Sequence, residues 1–224
     1  MKAMDVMVRD VVTVKPDDQV AHAIELLAKH DISALPVVDN SGRLVGILSE
    51  ADLIHRSEIG TEKHRPWWVE AVTPAVSLAS DFAKAHARWV GDVMSTHLVT
   101  ATEETPLAEI AALLEKHRIK RVPIVRDGKP VGVVSRSNLI QAMATAKAPA
   151  ASADDKDRDI RHEVLARLAK QPWTGFDSRN VIVTGGNVHL WGLVGSEPEH
   201  QALLALAREV PGVVTVTDET FPAY

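Results

Sequence analysis

The chain repeats itself, and the repeat constrains the fold more than any other feature. Asp5-Val6-Met7 returns as Asp92-Val93-Met94, Val12-Thr13 as Val99-Thr100, Lys29-His30 as Lys116-His117 and Pro36 as Pro123, all at an offset of 87 residues. One residue is then lost from the second copy and the offset becomes 86. This pairs Gly42 with Gly128, Val45-Gly46 with Val131-Gly132, Ser49 with Ser135 and Leu53-Ile54 with Leu139-Ile140. A register held that long means two copies of one structural unit.

Each copy reads as β-α-β-β-α. In the first, residues 11–14 are a short β-branched run, and Pro16 to Lys29 carries Val20, Ile24, Leu27 and Ala28 at helical spacing. Leu35-Pro36-Val37-Val38 is a brief apolar strand, Asp39 to Gly42 a turn, Leu44 to Leu48 the return strand, and Ser49 opens a helix with Leu53 and Ile54. A unit of about 50 residues has too little core to stand alone, so the copies, at 1–54 and 92–143, are expected to pack together. The expected fold class is α+β.

The string Ile32-x-x-Leu35-Pro36-Val37-Val38-Asp39-x-x-Gly42-x-Leu44-Val45-Gly46-Ile47-Leu48-Ser49-x-x-Asp52-Leu53-Ile54 resembles the cystathionine-β-synthase (CBS) domain. So does its second version, from Ile119 through Val122-Pro123-Ile124-Val125 to Gly132-Val133-Val134-Ser135-x-x-Asn138-Leu139-Ile140. Two in tandem look like the CBS pair, or Bateman module, that senses adenine nucleotides in many proteins. The resemblance covers roughly residues 1–143 apart from an insert. It implies a regulatory adenosine-type ligand (AMP, ADP, ATP or S-adenosylmethionine), no catalytic cofactor, and a homodimer built through the CBS pair.

The chemistry of the motif is consistent with such a ligand. Gly46 and Gly132 would let a ligand approach a strand backbone, and Ser49 and Ser135 stand where a helix start offers N–H groups to phosphate. The resemblance gives Asp52 the two ribose hydroxyls. The alternative is that Ser49-x-x-Asp52 is a capping box. Asn138 replaces the carboxylate in the second copy, where an amide bonds ribose without charge assistance. Arg121 reaches phosphate or stands as a solvated surface arginine, whereas its counterpart Ala34 can do neither. No aromatic residue falls inside either copy, so a purine would lie between aliphatic groups near Thr13, Val14, Leu35, Pro36 and Ile47, with Pro123 in the second copy.

Other chemistry is excluded. The chain has no cysteine, hence no disulfide, thiolate zinc site or cysteine nucleophile. Its ten histidines form no metal-ligand spacing, and His30 and His117 suit helix C-termini. No Ser/His/Asp elbow, phosphate loop or dinucleotide fingerprint occurs, so no enzyme is expected, with no catalytic and no metal-binding residues. A net charge of −5 leaves no basic field for nucleic acid, and no apolar run nears the ~18 residues of a membrane span. The N-terminal residues, interrupted by charges, do not read as a secretory signal. The protein is expected to be soluble and cytoplasmic.

Residues 55–91 form an insert with Trp67, Trp68, Phe82 and Trp89 on two helical stretches, either satellite core or a partner surface. Residues 144–157 are small and polar, a flexible linker. From Arg158 to Tyr224 the order α-β-β-α-β emerges. A helix carries Ile160, Val164, Leu165 and Leu168, and a hairpin turns at Gly185-Gly186-Asn187. A helix capped by Ser196-x-x-Glu199 and a last strand Val213–Val216 follow Val188 to Trp191, with Trp191 set on the sheet face away from the helices. The string Val181-x-Val183-x-x-Gly186-x-Val188-x-Leu190-x-Gly192-x-Val194, with Pro211-Gly212-Val213-x-x-Val216, resembles the BON domain, which is proposed to contact phospholipid or protein partners. Residues 157–224 carry six Lys/Arg against nine Asp/Glu, which disfavours an anionic bilayer and leaves a protein partner as the expectation. Two functions follow: a ligand-sensing regulator, or a structural or membrane-associated adaptor with the CBS pair as a dimerisation scaffold.

Overall fold

The computed structural model describes residues 1–54, 74, 86–145 and 155–223. Among them the chain order is α1 Ala3–Val6, α2 Val20–His30, β1 Ala34–Val38, β2 Leu44–Ser49, α3 Glu50–Leu53, α4 Val90–Val93, α5 Leu107–Lys116 and β3 Arg121–Arg126. Then come β4 Lys129–Ser135, α6 Arg136–Thr145, α7 Asp155–Leu168, β5 Val181–Thr184, β6 Asn187–Val194, α8 Glu197–Arg208 and β7 Thr215–Pro222. The fold class is α+β, with two-stranded hairpins β1-β2 and β3-β4 and a three-stranded sheet β5-β6-β7. Most of the insert, with Trp67, Trp68 and Phe82, and residues 146–154 of the expected linker lie outside the described residues. Residues 144 and 145 close α6, and Asp155 to Asp157 open α7.

Contacts divide the chain into two compact units, and the division crosses the repeat boundaries. One holds Val11–Leu98 with Asp127–Pro130; the other holds Met1–Asp10, Val99–Arg126 and Val131–Tyr224. The first hairpin thus sits with the segment that opens the second copy, and the second hairpin with the segment that opens the first.

In the first-copy unit, Val20, Ala23 and Leu27 of α2 join Leu35, Val37, Leu48, Val90 and Val93 in an aliphatic core. The expected first strand contracts to a bridge between Val14 and Val37. The helix begins at Val20 and not at Pro16, because the backbone before it is engaged elsewhere. Gly91 N–H donates to Pro16 O (2.8 Å), Val90 N–H to Asp18 O (2.9 Å) and Lys15 N–H to Asp18 Oδ2 (2.7 Å).

The single deletion lies in the hairpin turns. The second copy turns through Asp127 and Gly128 at φ 53° and 79°, the double positive φ of a type I′ turn. The first copy uses the longer Asp39–Gly42 loop. There Asp39 Oδ1 accepts from Ser41 N–H, Ser41 Oγ–H and Arg43 N–H at 2.9, 2.7 and 2.9 Å, and the Ser41 hydroxyl first among these holds its carboxyl below the usual range.

In the other unit, Val6, Met7, Ile110, Val122, Ile124 and Val134 form the second-copy core, and Ile182 of β5 belongs to it. The C-terminal elements have their own core, including Val164, Leu168, Val183, Leu190, Leu203 and Ala207. β5 pairs antiparallel and β7 parallel with β6. Buried Asp157 accepts from both turn N–H groups, Gly185 (2.8 Å) and Gly186 (2.7 Å). Ser196 Oγ accepts from Glu199 N–H as expected (3.3 Å), but the Glu199 carboxylate turns to Gly195 N–H (2.8 Å). The last strand runs Thr215–Pro222, later and longer than Val213–Val216, because Val213 and Val214 N–H are taken by Val210 O and Gly186 O. His189 and Trp191 stand on the face opposite Val188 and Leu190.

Candidate functional site

In the first copy, hairpin register sets the candidates on two faces. Pro36 lies opposite Ile47 and Ala34 opposite Ser49, whereas Leu35, Val37 and Leu48 face the core. Val14 joins this edge through Val14 N–H to Pro36 O (3.1 Å) and Val38 N–H to Val14 O (2.8 Å), with half-buried Thr13 beside it. Pro36, Ile47 and Ser49 share one hairpin face, with Thr13 next to the bridged Val14 and Asp52 held at Ser49. Val14 and Leu35, at 2% and 0% exposure, back it from the core.

Ser49 caps α3, and Asp52 Oδ2 accepts both its N–H (2.9 Å) and its Oγ–H (2.7 Å). The next N–H, of Glu50, donates to Ser33 O (3.1 Å), so the helix start is less open to phosphate than its sequence suggests. The second copy repeats this atom for atom. Asn138 Oδ1 accepts Ser135 N–H (2.9 Å) and Oγ–H (2.7 Å), while Arg136 N–H donates to Lys120 O (3.2 Å). The capping reading is therefore realised at both sites, and it occupies one terminal atom of each side chain. The other terminal atom differs. Asp52 keeps Oδ1, an acceptor with no hydrogen bond from any described residue, whereas Asn138 keeps the donor Nδ2.

Both glycines are also met by side chains. A Cβ at Gly46 would collide with the Met94 side chain, and one at Gly132 would lie 2.5 Å from Met7 Sδ. What the missing Cβ admits is a methionine from the other copy's opening segment. Ile47 and Ser95 also exchange hydrogen bonds of 2.9 and 2.8 Å. The signal was visible in the repeated Asp-Val-Met. Thr100, the repeat counterpart of Thr13, was not carried into the second site. It precedes Ala101, whose bonds to Pro123 O (3.1 Å) and from Val125 N–H (2.9 Å) repeat those of Val14. Pro123 is buried on β3 and Arg121 half-buried at its start.

The fold and these two motif sites define a tandem CBS pair followed by a small α-β-β-α-β module. The CBS domain family matches residues 3–58 and 90–145, and the BON domain family residues 156–220; the chain belongs to the CBS-domain proteins and carries a BON domain after the CBS pair. It is 32% identical over 139 residues to the CBS domain-containing protein CBSX1 of Arabidopsis thaliana, covering 59% of each chain. It is 30% identical to protein MJ1426 of Methanocaldococcus jannaschii, covering 64% of this chain and 91% of that one. An inosine-5′-monophosphate dehydrogenase of the same organism matches at 32% identity, but the chain spans only 26% of it. Among solved structures, CBSX2 in complex with AMP is similar with a TM-score of 0.57 and 29% identity, over 66% of this chain and 99% of that one. The CBS pair of MJ0100, solved with 5′-methylthioadenosine and S-adenosylmethionine, shares the fold at a TM-score of 0.50 and 24% identity.

No described helix is long and apolar enough to cross a membrane, and no group of three metal-ligating side chains occurs among the described residues.

Proposed function

We propose that this is a non-catalytic regulatory protein whose CBS pair binds an adenosine-type ligand, chiefly at the first copy. Asp52 carries the reading: its carboxylate is fixed by Ser49 through Oδ2 and offers Oδ1 as a charged acceptor for ribose hydroxyls. The edge built by Thr13, Pro36, Ile47 and Ser49, backed by Val14, Leu35 and Gly46, would hold the base. In the second copy Arg121, Pro123, Gly132, Ser135 and Asn138 would form a weaker site. The similarity to CBSX2, solved with AMP, supports this ligand class. The BON domain would convey the ligand state through protein contact, and the whole would act as a dimer through its CBS pair.

Calorimetric titration of the full chain with AMP, ADP, ATP and S-adenosylmethionine tests the reading. At least one should bind, Asp52→Ala should abolish most of the heat, and Asn138→Ala should leave most of it. Silence from all four ligands, or equal losses from the two variants, would overturn it. Light scattering at tens of micromolar should return twice the chain mass.

A further inference from the structure

Met1–Asp10 form an arm used on both sides. On one side it adds to the second hairpin: Val8 and Val133 exchange two hydrogen bonds of 3.0 Å, and Met7, wholly buried, lies over Gly132 in the ligand motif. A Cβ at that glycine would stand 2.5 Å from Met7 Sδ and 3.2 Å from its Cβ, so the arm's position depends on the bare strand.

On its other side the same arm holds the BON domain. The Arg161 guanidinium of α7 donates to Met7 O (3.2 Å), Ser178 O (2.8 Å) and Val181 O (2.9 Å). It is only 4% exposed and has no carboxylate of a described residue within ion-pair distance, which makes it a tie between backbones and not a salt bridge. Burial, with Arg9 nearby, pushes its pKa down to about 10, so it stays charged at neutral pH. Around it, Arg9 N–H donates to Ser178 Oγ (3.1 Å) and Arg158 Nε to buried Asp5 (2.8 Å), while Ile182 of β5 packs with Ala3, Val6 and Ala142.

We infer that the BON domain's protein partner within this chain is the Met1–Asp10 arm with the second CBS copy, and that this arm couples the Gly132–Asn138 motif, and not the Gly46–Asp52 motif, to the BON domain. Met7 is the shared element, its side chain on the motif strand and its carbonyl on Arg161. Met94, its equivalent, lies in the other compact unit with Gly46. Because coupling is reciprocal, whatever shifts the strand shifts BON docking and the reverse. Only the ligand-driven half of this inference rests on the proposed function.

Hydrogen exchange on the full chain tests it without a ligand. Gly132→Ala intrudes on Met7, and Gly46→Ala on Met94 and on the Ser95 carbonyl. Gly132→Ala should lower protection of β5 and α7 by about tenfold, and Gly46→Ala should leave both unchanged. Arg161→Lys, which keeps charge but not the planar fork, should raise exchange at Val8 and Val133, and serves alone if Gly132→Ala does not fold. Unchanged BON protection in a folded Gly132→Ala, equal loss in Gly46→Ala, or undisturbed Val8 and Val133 amides in Arg161→Lys would overturn the inference. AMP is then added. Binding that depends on Asn138 yet leaves β5 and α7 unmoved refutes ligand coupling while the proposed function stands. Absence of AMP binding counts against the proposed function, and the glycine pair still decides the inference.

Discussion

The two CBS copies share one hairpin, one cap and one methionine-over-glycine contact, and two of their differences bear on function. The first copy fixes a carboxylate, Asp52, with one oxygen open; the second fixes a buried amide, Asn138, that presents a donor. The second copy also shares its compact unit with the arm and the BON domain, while the first has neither. The copy with the open charged acceptor is thus not the copy whose compact unit holds the BON domain.

The largest effect should come from breaking that attachment. Arg161→Met leaves the Met7, Ser178 and Val181 carbonyls without their donor inside a packed interface. Unsatisfied buried groups and a lost charged donor cost about 3 kcal/mol together. Urea unfolding followed by hydrogen exchange should show that loss in β5 and the second-copy core, with the α2 and β1 amides of the first copy unaffected. A uniform loss across both units would erase the distinction drawn here.

Reciprocal exchange at the motif carboxylate and amide sharpens the ligand half of the comparison. Asp52→Asn preserves the capping oxygen and replaces the open acceptor by a donor; Asn138→Asp does the reverse. Charge-assisted hydrogen bonds contribute about 1.5–3 kcal/mol, so Asp52→Asn should weaken AMP binding at the first site by about tenfold or more. Asn138→Asp should strengthen the second site by less, because a carboxylate there must also be desolvated. Site-resolved titration reads both. Identical affinities after the exchange would place the asymmetry elsewhere.

Much of this was legible in the sequence because the repeat compares the chain with itself. The constant offset located both hairpins and both caps, and alternation along Val188 to Trp191 assigned the sheet faces. Less legible were features that depend on what meets a residue in space. The glycines were read as openings for a ligand, and only packing shows methionines on them. Asp157 falls in the expected flexible linker and Arg161 is not singled out, yet both are buried, since their partners are backbone groups of the hairpin turn and the arm, which carry no sequence signal. The last strand was placed early because Val213 and Val214 have strand propensity, which their hydrogen bonds to the preceding helix end and the hairpin turn override.

Where the copies are equivalent, variants should behave alike. Gly42 and Gly128 both sit at φ 79°, and alanine at either should cost about 1 kcal/mol from positive φ alone. At Gly128 a new Cβ also meets Arg43 Nη1 at 2.8 Å, a flexible tip that can swing aside. Thermal unfolding of the two variants should therefore agree within a few tenths of a kcal/mol. A much larger loss at Gly128 would show that the tighter second-copy turn is the less tolerant of the two.

The smallest expected effect separates the units by pH. His200 of α8 meets Asp218 of β7 at 2.6 Å, with Glu197 at 3.7 Å, and the Asp218 hydrogen bond first, then the two negative charges, raises its pKa above 6.5. The group charges more readily folded than unfolded, so its contribution is full below pH 6.5 and is lost as pH climbs through the raised value. The imidazole lies near the surface and faces solvent, so the contribution is a fraction of what a buried pair would give. Exchange at α8 and β7 should quicken slightly between pH 6 and 8 after correction for intrinsic rates, and His200→Gln should flatten that dependence. The first-copy hairpin serves as the internal control. If it loosens over the same interval by the same amount, the effect belongs to the whole chain and not to the helix-to-strand contact at His200.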